Sequence, residues 1–127
     1  MKVKQMRPRL IAALVLALSA AAAHAEPQAP APLTCETGPV QRQFGGTDWL
    51  VYSCDDGRSM VVISASGNPA SPFYFILTPL DGAYKIYGEG NGSKAASDAA
   101  GGDLARLQQD DLAKLLAETK TQPAAHN

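Results

Sequence analysis

The chain has 127 residues, 46% of them hydrophobic and 18% charged, with 11 Lys and Arg against 12 Asp and Glu. That length suits one domain with a core that is small for its surface. Two histidines and two cysteines in the whole chain leave few groups that move protons near neutral pH, and the charge balance lacks the basic excess that nucleic-acid binding draws on.

Lys2, Lys4, Arg7 and Arg9 precede an apolar run from Leu10 to Ala23, which ends in Ala23-His24-Ala25. This order of charged, apolar and small residues is that of a secretory signal peptide, expected at residues 1–25 with cleavage after Ala25. The apolar run is shorter than the roughly 20 residues a helix needs to cross a bilayer, so no membrane span is expected after cleavage. Pro8 separates Arg7 from Arg9, so no twin-arginine pair forms, and no cysteine follows the cleavage site to carry a lipid. The expected compartment is the periplasm or the outside of the cell.

Cleavage removes four basic residues and no acidic one, leaving seven basic against twelve acidic, a net charge of −5. Such a surface repels phosphate backbones and anionic lipid heads, which argues against nucleic acid and membrane surfaces as partners. A cationic partner is its natural complement, although acidity of this size more often serves solubility alone.

Residues 26–34, EPQAPAPLT, alternate proline with small residues and read as a Pro/Ala-rich linker. A single domain is expected over residues 35–120, followed by a flexible tail at 121–127 that contains Pro123. Cys35 and Cys54 are the only cysteines. In an oxidising compartment they are expected to form a disulfide, because a metal site would need further ligands and the mature chain offers only His126. No metal and no other cofactor is therefore expected.

Gly45-Gly46, Asp56-Gly57 and Asp81-Gly82 accept the positive φ angles of tight hairpin turns. They divide the chain into expected strands at Val40–Phe44, Asp48–Cys54, Arg58–Ala65, Phe73–Thr78 and Ala83–Gly88, with a loop at Ser66–Pro72. A two-residue turn at Asp56-Gly57 sets Tyr52 opposite Val61, Leu50 opposite Ile63 and Asp55 opposite Arg58, an ion pair at the mouth. The same rule at Asp81-Gly82 pairs Leu77 with Ile86 and Thr78 with Lys85. Across Gly45-Gly46 it pairs Val40 with Val51 and brings Cys35 within about two residues of Cys54, a gap that a bulge near Gly38-Pro39 closes.

Ser93 is a good N-cap for a short helix over Lys94–Ala100, which Gly101-Gly102 is expected to interrupt. Asp103 then caps a second helical stretch in which Leu104, Leu107, Leu112, Leu115 and Leu116 recur on one face. The fold class is α+β: a small antiparallel meander of about five strands, one disulfide, and one or two C-terminal helices on one face of the sheet.

Catalytic residues are not expected. His126 falls in the tail, so no serine or cysteine has a base. The carboxylate pairs Asp55-Asp56 and Asp110-Asp111 suit turn and capping roles. Gly88 to Lys94 leads from a strand into a helix but matches no phosphate-binding loop, since no Ser or Thr follows Lys94. The second sheet face is the remaining candidate. Alternation groups Trp49, Val51, Met60, Val62, Tyr74, Ile76 and Tyr87, and sheet curvature ordinarily buries such a set on both sides. Were it open to a partner, Trp49, Tyr74 and Tyr87 are the expected anchors.

Residues Tyr52 to Val62, YSCDDGRSMVV, resemble the Tyr-x-Cys-x-x-Gly hairpin of bacterial periplasmic and membrane-bound inhibitors of C-type lysozyme. The resemblance covers about 11 of the roughly 102 mature residues. It implies a small exported β-rich domain that blocks a cationic enzyme. The family's Ser-Gly-x-x-Tyr inhibitory loop is absent, so no inhibitory residue carries over. The expected function is a periplasmic or secreted non-enzymatic interaction domain, an inhibitor-like binder of an envelope or extracellular protein. The alternative is an envelope enzyme or accessory subunit using carboxylates.

Overall fold

The computed structural model describes residues 32–122. The expected signal peptide, residues 26–31 of the linker and residues 123–127, with Pro123 and His126, lie outside the described residues. Five strands, β1 (Thr37–Phe44), β2 (Thr47–Ser53), β3 (Met60–Ser64), β4 (Phe73–Leu80) and β5 (Ala83–Gly90), are followed by helices α1 (Lys94–Arg106) and α2 (Gln109–Thr121). The strands form one antiparallel sheet in sequence order. This is the expected α+β meander with two C-terminal helices.

The hairpin registers follow from their turns. Gly45 and Gly46 both take positive φ, and β1 pairs with β2 from Phe44↔Thr47 to Val40↔Val51. Between Val40 and Thr37 the register shifts, and this bulge at Gly38-Pro39 lets Thr37 face Ser53. Cys35 and Cys54 consequently meet in a disulfide with an S–S distance of 2.04 Å. Thr34 and Asp55 bracket it: the Asp55 N–H donates to the Thr34 carbonyl at 2.8 Å, and the Thr34 N–H donates to Asp55 Oδ1 at 3.2 Å.

The expected Asp55–Arg58 ion pair does not form. Asp55 is occupied by Thr34, and Asp56 organises the turn instead, its carboxylate accepting the N–H groups of Arg58 and Ser59 and the Ser59 hydroxyl. Burial acts to raise the Asp56 carboxyl, but the Ser59 hydroxyl, the two amides and the Arg58 charge outweigh it and hold the group below its ordinary value. The strand pairing is unaffected, with Tyr52↔Val61 and Leu50↔Ile63 as expected.

Two helical expectations are corrected. Gly101-Gly102 does not break α1, and Asp103 lies inside that helix rather than capping a second one. A Cβ on Gly101 would stand 3.3 Å from Phe75 Cε1, so the missing side chain lets the helix lie close to the sheet. The Asp103 carboxylate is used elsewhere, accepting the Gly45 N–H at 2.5 Å. The break comes at Leu107-Gln108, both extended, and the Gln108 N–H donates to the Asp111 carboxylate at 3.0 Å. Thr121, expected in the tail, closes α2.

Both helices pack on one sheet face. Ala100 and Leu104 of α1 and Leu112 and Leu115 of α2 are buried in a single core with Trp49, Val51, Met60, Val62, Phe75 and Leu77. The far end of α2 is fastened by a buried hydrogen bond from Thr119 Oγ1 to Ser53 Oγ at 2.8 Å, and by Lys120 Nζ donating to the Gly57 carbonyl at 3.1 Å. An Arg42–Glu118 ion pair ties α2 to β1.

Candidate functional site

The other sheet face is built by register alone. Side chains directly opposite each other in an antiparallel sheet share a face. The ladders Gln41↔Leu50↔Ile63↔Tyr74↔Glu89 and Tyr52↔Val61↔Ile76↔Tyr87 therefore run across the sheet as two adjacent rows. No helix among the described residues covers them. Ile63 (39%), Tyr74 (36%) and Tyr87 (53%) are exposed, and Leu50, Tyr52, Val61 and Ile76 are half-buried against one another.

At one end the face deepens into an open groove of about 580 Å³, lined by Val61, Ile63, Pro72, Tyr74, Glu89 and Asn91. Glu89 is its only charged lining residue. One carboxylate oxygen, Oε2, accepts the Tyr74 hydroxyl at 2.9 Å and the Tyr87 hydroxyl at 3.3 Å. The hydrogen bond to Glu89 is the main reason the Tyr74 phenol is raised above its ordinary value, with desolvation and the negative charge of Glu89 adding to it. The phenol thus remains a protonated donor, and the trio forms a fixed polar end to an apolar shelf.

Of the expected anchors, Tyr74 and Tyr87 come together here and Trp49 does not. Trp49 is fully buried on the opposite face. Its indole Nε1 donates to Thr47 Oγ1 at 2.9 Å and to the Phe44 carbonyl at 3.2 Å, and its ring packs on Phe73 and Phe75 at centroid distances of 6.2 and 5.2 Å. The grouping of Val51, Met60 and Val62 with Tyr74 and Ile76 is corrected for the same reason. The β3–β4 ladder pairs Met60 with Leu77 and Val62 with Phe75, so even-numbered residues of β3 share a face with odd-numbered residues of β4. The residues missed were Leu50, Tyr52, Val61 and Ile63, which already pair with one another in the register arithmetic of the β2–β3 hairpin.

Asp111 and Glu118 share a further pocket with Arg42 and Lys114, where Glu118 is paired with Arg42. Asp55 accepts the Thr34 N–H, Asp56 serves the β2–β3 turn, Asp103 holds Gly45, Asp111 caps α2, and Glu89 is bound by two phenols. Among the described residues no three His, Cys, Asp or Glu side chains are grouped to hold a metal ion, and no helix is long and apolar enough to cross a membrane. The arrangement offers apolar contact area with a polar rim. No protein-family model matches the chain, and neither does any curated protein or solved structure compared with it.

Proposed function

We propose that this protein is an exported, non-enzymatic interaction domain that docks an envelope or extracellular protein on its uncovered sheet face, in the manner of an inhibitor. The observation that carries the reading is the pair of rows Leu50–Ile63–Tyr74 and Tyr52–Val61–Ile76–Tyr87, contiguous across four strands while both helices pack on the opposite side. Seven large side chains left together on one face exceed the scattered apolar residues of an ordinary surface, and such patches mark sites of association. Tyrosine anchors with a polar rim are the composition of binding hot spots.

Charge complementarity sets the partner's chemistry. The mature chain carries −5, and the groove's one charged lining residue is Glu89. The partner surface that fits has an apolar centre and basic surroundings. The resemblance of Tyr52–Val62 to lysozyme inhibitors points in the same direction, toward a cationic protein target.

Site-specific photo-crosslinking in the producing cells tests this. A photoreactive residue at position 63 is expected to capture one discrete envelope protein, which one at Lys114 on the helical side does not, and Tyr74→Ala with Tyr87→Ala is expected to abolish capture. Equal capture from both positions, or capture unaffected by the tyrosine changes, overturns the reading.

A further inference from the structure

The two edges of the sheet are built differently. β1 carries Pro39 and a bulge, devices that keep an edge from pairing with another chain, and α2 is tied to it through Arg42. β5 runs without proline or register shift from Ala83 to Gly90, matched residue for residue to β4. Its outer edge carries neither safeguard.

The ladder determines which backbone groups that edge offers. Leu80 and Ala83 flank the two-residue turn Asp81-Gly82, and at the other end the Asn91 N–H donates to the Pro72 carbonyl at 3.0 Å. Both facts place the odd-numbered residues of β5 in hydrogen bonds with β4. By alternation the amides and carbonyls of Tyr84, Ile86, Gly88 and Gly90 aim outward. Gly88 is exposed although its Cα faces the core side, so the edge is reachable.

We propose that this edge pairs with the same edge of a second copy, antiparallel and about a two-fold axis at Tyr87. In that register Ile86 faces Gly88 of the partner copy, and Tyr84 faces Gly90, so every outward donor meets an outward acceptor. The intervening positions are the close, non-hydrogen-bonded pairs, with Cα atoms about 4.5 Å apart. There Tyr87 meets Tyr87, and Lys85 meets Glu89 twice, once on each side of the axis. Neither Lys85 nor Glu89 belongs to an ion pair among the described residues. Glu89 is held in place by two phenols through Oε2, leaving Oε1 for the incoming ammonium.

The charge pattern also selects the register. Sliding the copies by two residues either way breaks both ion pairs, and a slide of four sets Lys85 against Lys85 or Glu89 against Glu89. The two-fold arrangement closes on itself, and Pro39 and the bulge blunt the opposite edge, so the product is a ten-stranded dimer rather than a filament. The proposed binding faces then lie side by side on one surface, but the pairing does not depend on what they bind.

Sedimentation equilibrium of the mature protein, with charge exchange, tests the proposal. Wild type is expected to be a concentration-dependent dimer. Lys85→Glu and Glu89→Lys are each expected to raise the dissociation constant by about tenfold, and the exchanged double variant to recover it. Val61→Asp, on the same sheet face and lining the groove, is expected to leave the dimer intact while losing the partner captured from position 63. Hydrogen exchange supplies a readout free of variants: the amides of Ile86 and Gly88 gain protection as concentration rises, while those of Lys85 and Tyr87 are protected throughout. A wild type that stays monomeric to about 1 mM, single and double variants with equal constants, or Ile86 and Gly88 amides indifferent to concentration overturns the pairing.

Discussion

Asp103 in the last turn of α1 accepts the backbone N–H of Gly45 in the β1–β2 turn at 2.5 Å. Residues 58 positions apart are thereby joined, and the contact is so close that a Cβ on Gly45 would stand 2.6 Å from the Ala100 nitrogen and 2.7 Å from the Ala99 carbonyl carbon. Gly46, its neighbour, has nothing within 4 Å of the same position.

Gly45→Ala and Gly46→Ala therefore separate two causes of glycine preference. Both residues have positive φ, so both variants bear the conformational cost of about 1–2 kcal/mol. Gly45→Ala adds overpacking against α1 and is expected to lose about 3 kcal/mol or more in urea denaturation. Equal losses for the two variants would mean that α1 does not rest on the turn.

Acid stability follows from two carboxyls. Asp103 is lowered first by the Gly45 amide, with Arg106 assisting against some desolvation, and Asp56 is lowered as described by the Ser59–Arg58 turn. A depressed folded pKa means that the contribution is complete above the unfolded value, about 3.9, and is lost as pH falls through the folded value. The melting temperature is expected to be level between about pH 7 and 5 and to fall below about pH 4. Asp103→Ala should start lower at neutral pH and lose less on acidification. Parallel curves for variant and wild type would remove Asp103 from this account.

The Cys35–Cys54 bond closes a separation of 19 residues. Replacing both cysteines with serine is expected to cost about 2–4 kcal/mol, measured by chemical denaturation. Protein recovered from an oxidising compartment is expected to take up no thiol label before reduction. Labelling without reduction would contradict the pairing.

The two faces of the sheet predict opposite responses to substitution. Trp49→Ala removes a fully buried ring and is expected to cost about 3–5 kcal/mol. Met60→Lys places a charge in the core and is expected to prevent folding. Ile63→Lys and Tyr87→Ala alter exposed side chains and are expected to change stability by about 0.5 kcal/mol or less. Similar losses on both faces, read from thermal melts, would mean that the outer face is covered in the folded molecule.

Much of the architecture was legible in the chain because the signals behind it are local. Two adjacent residues that tolerate positive φ define a hairpin, and a hairpin defines its own register, which is why the β1–β2, β2–β3 and β4–β5 pairings and the bulge at Gly38-Pro39 follow from residue types. The meeting of Cys35 with Cys54 is a consequence of that register. Leucine spacing likewise placed Leu112 and Leu115 of α2 in the core, although the same expected stripe took in Leu104, which lies in α1, and Leu107, which lies in the break between the helices.

Tertiary structure alone decided which residues share a face beyond a hairpin. Between β3 and β4 the chain makes a loop anchored by Asn68, whose side chain donates to the Asp48 carbonyl at 2.6 Å and accepts the Ala70 N–H at 2.9 Å. No local rule sets whether such a loop keeps or flips the parity of the next strand, and a flip of one residue exchanges every side chain between core and solvent. That single parity moved Trp49 into the core with Phe75 and put Ile63 beside Tyr74 outside. In the same way Gly101 reads locally as a helix breaker, yet close packing against Phe75 outweighs its weak propensity, and α1 continues.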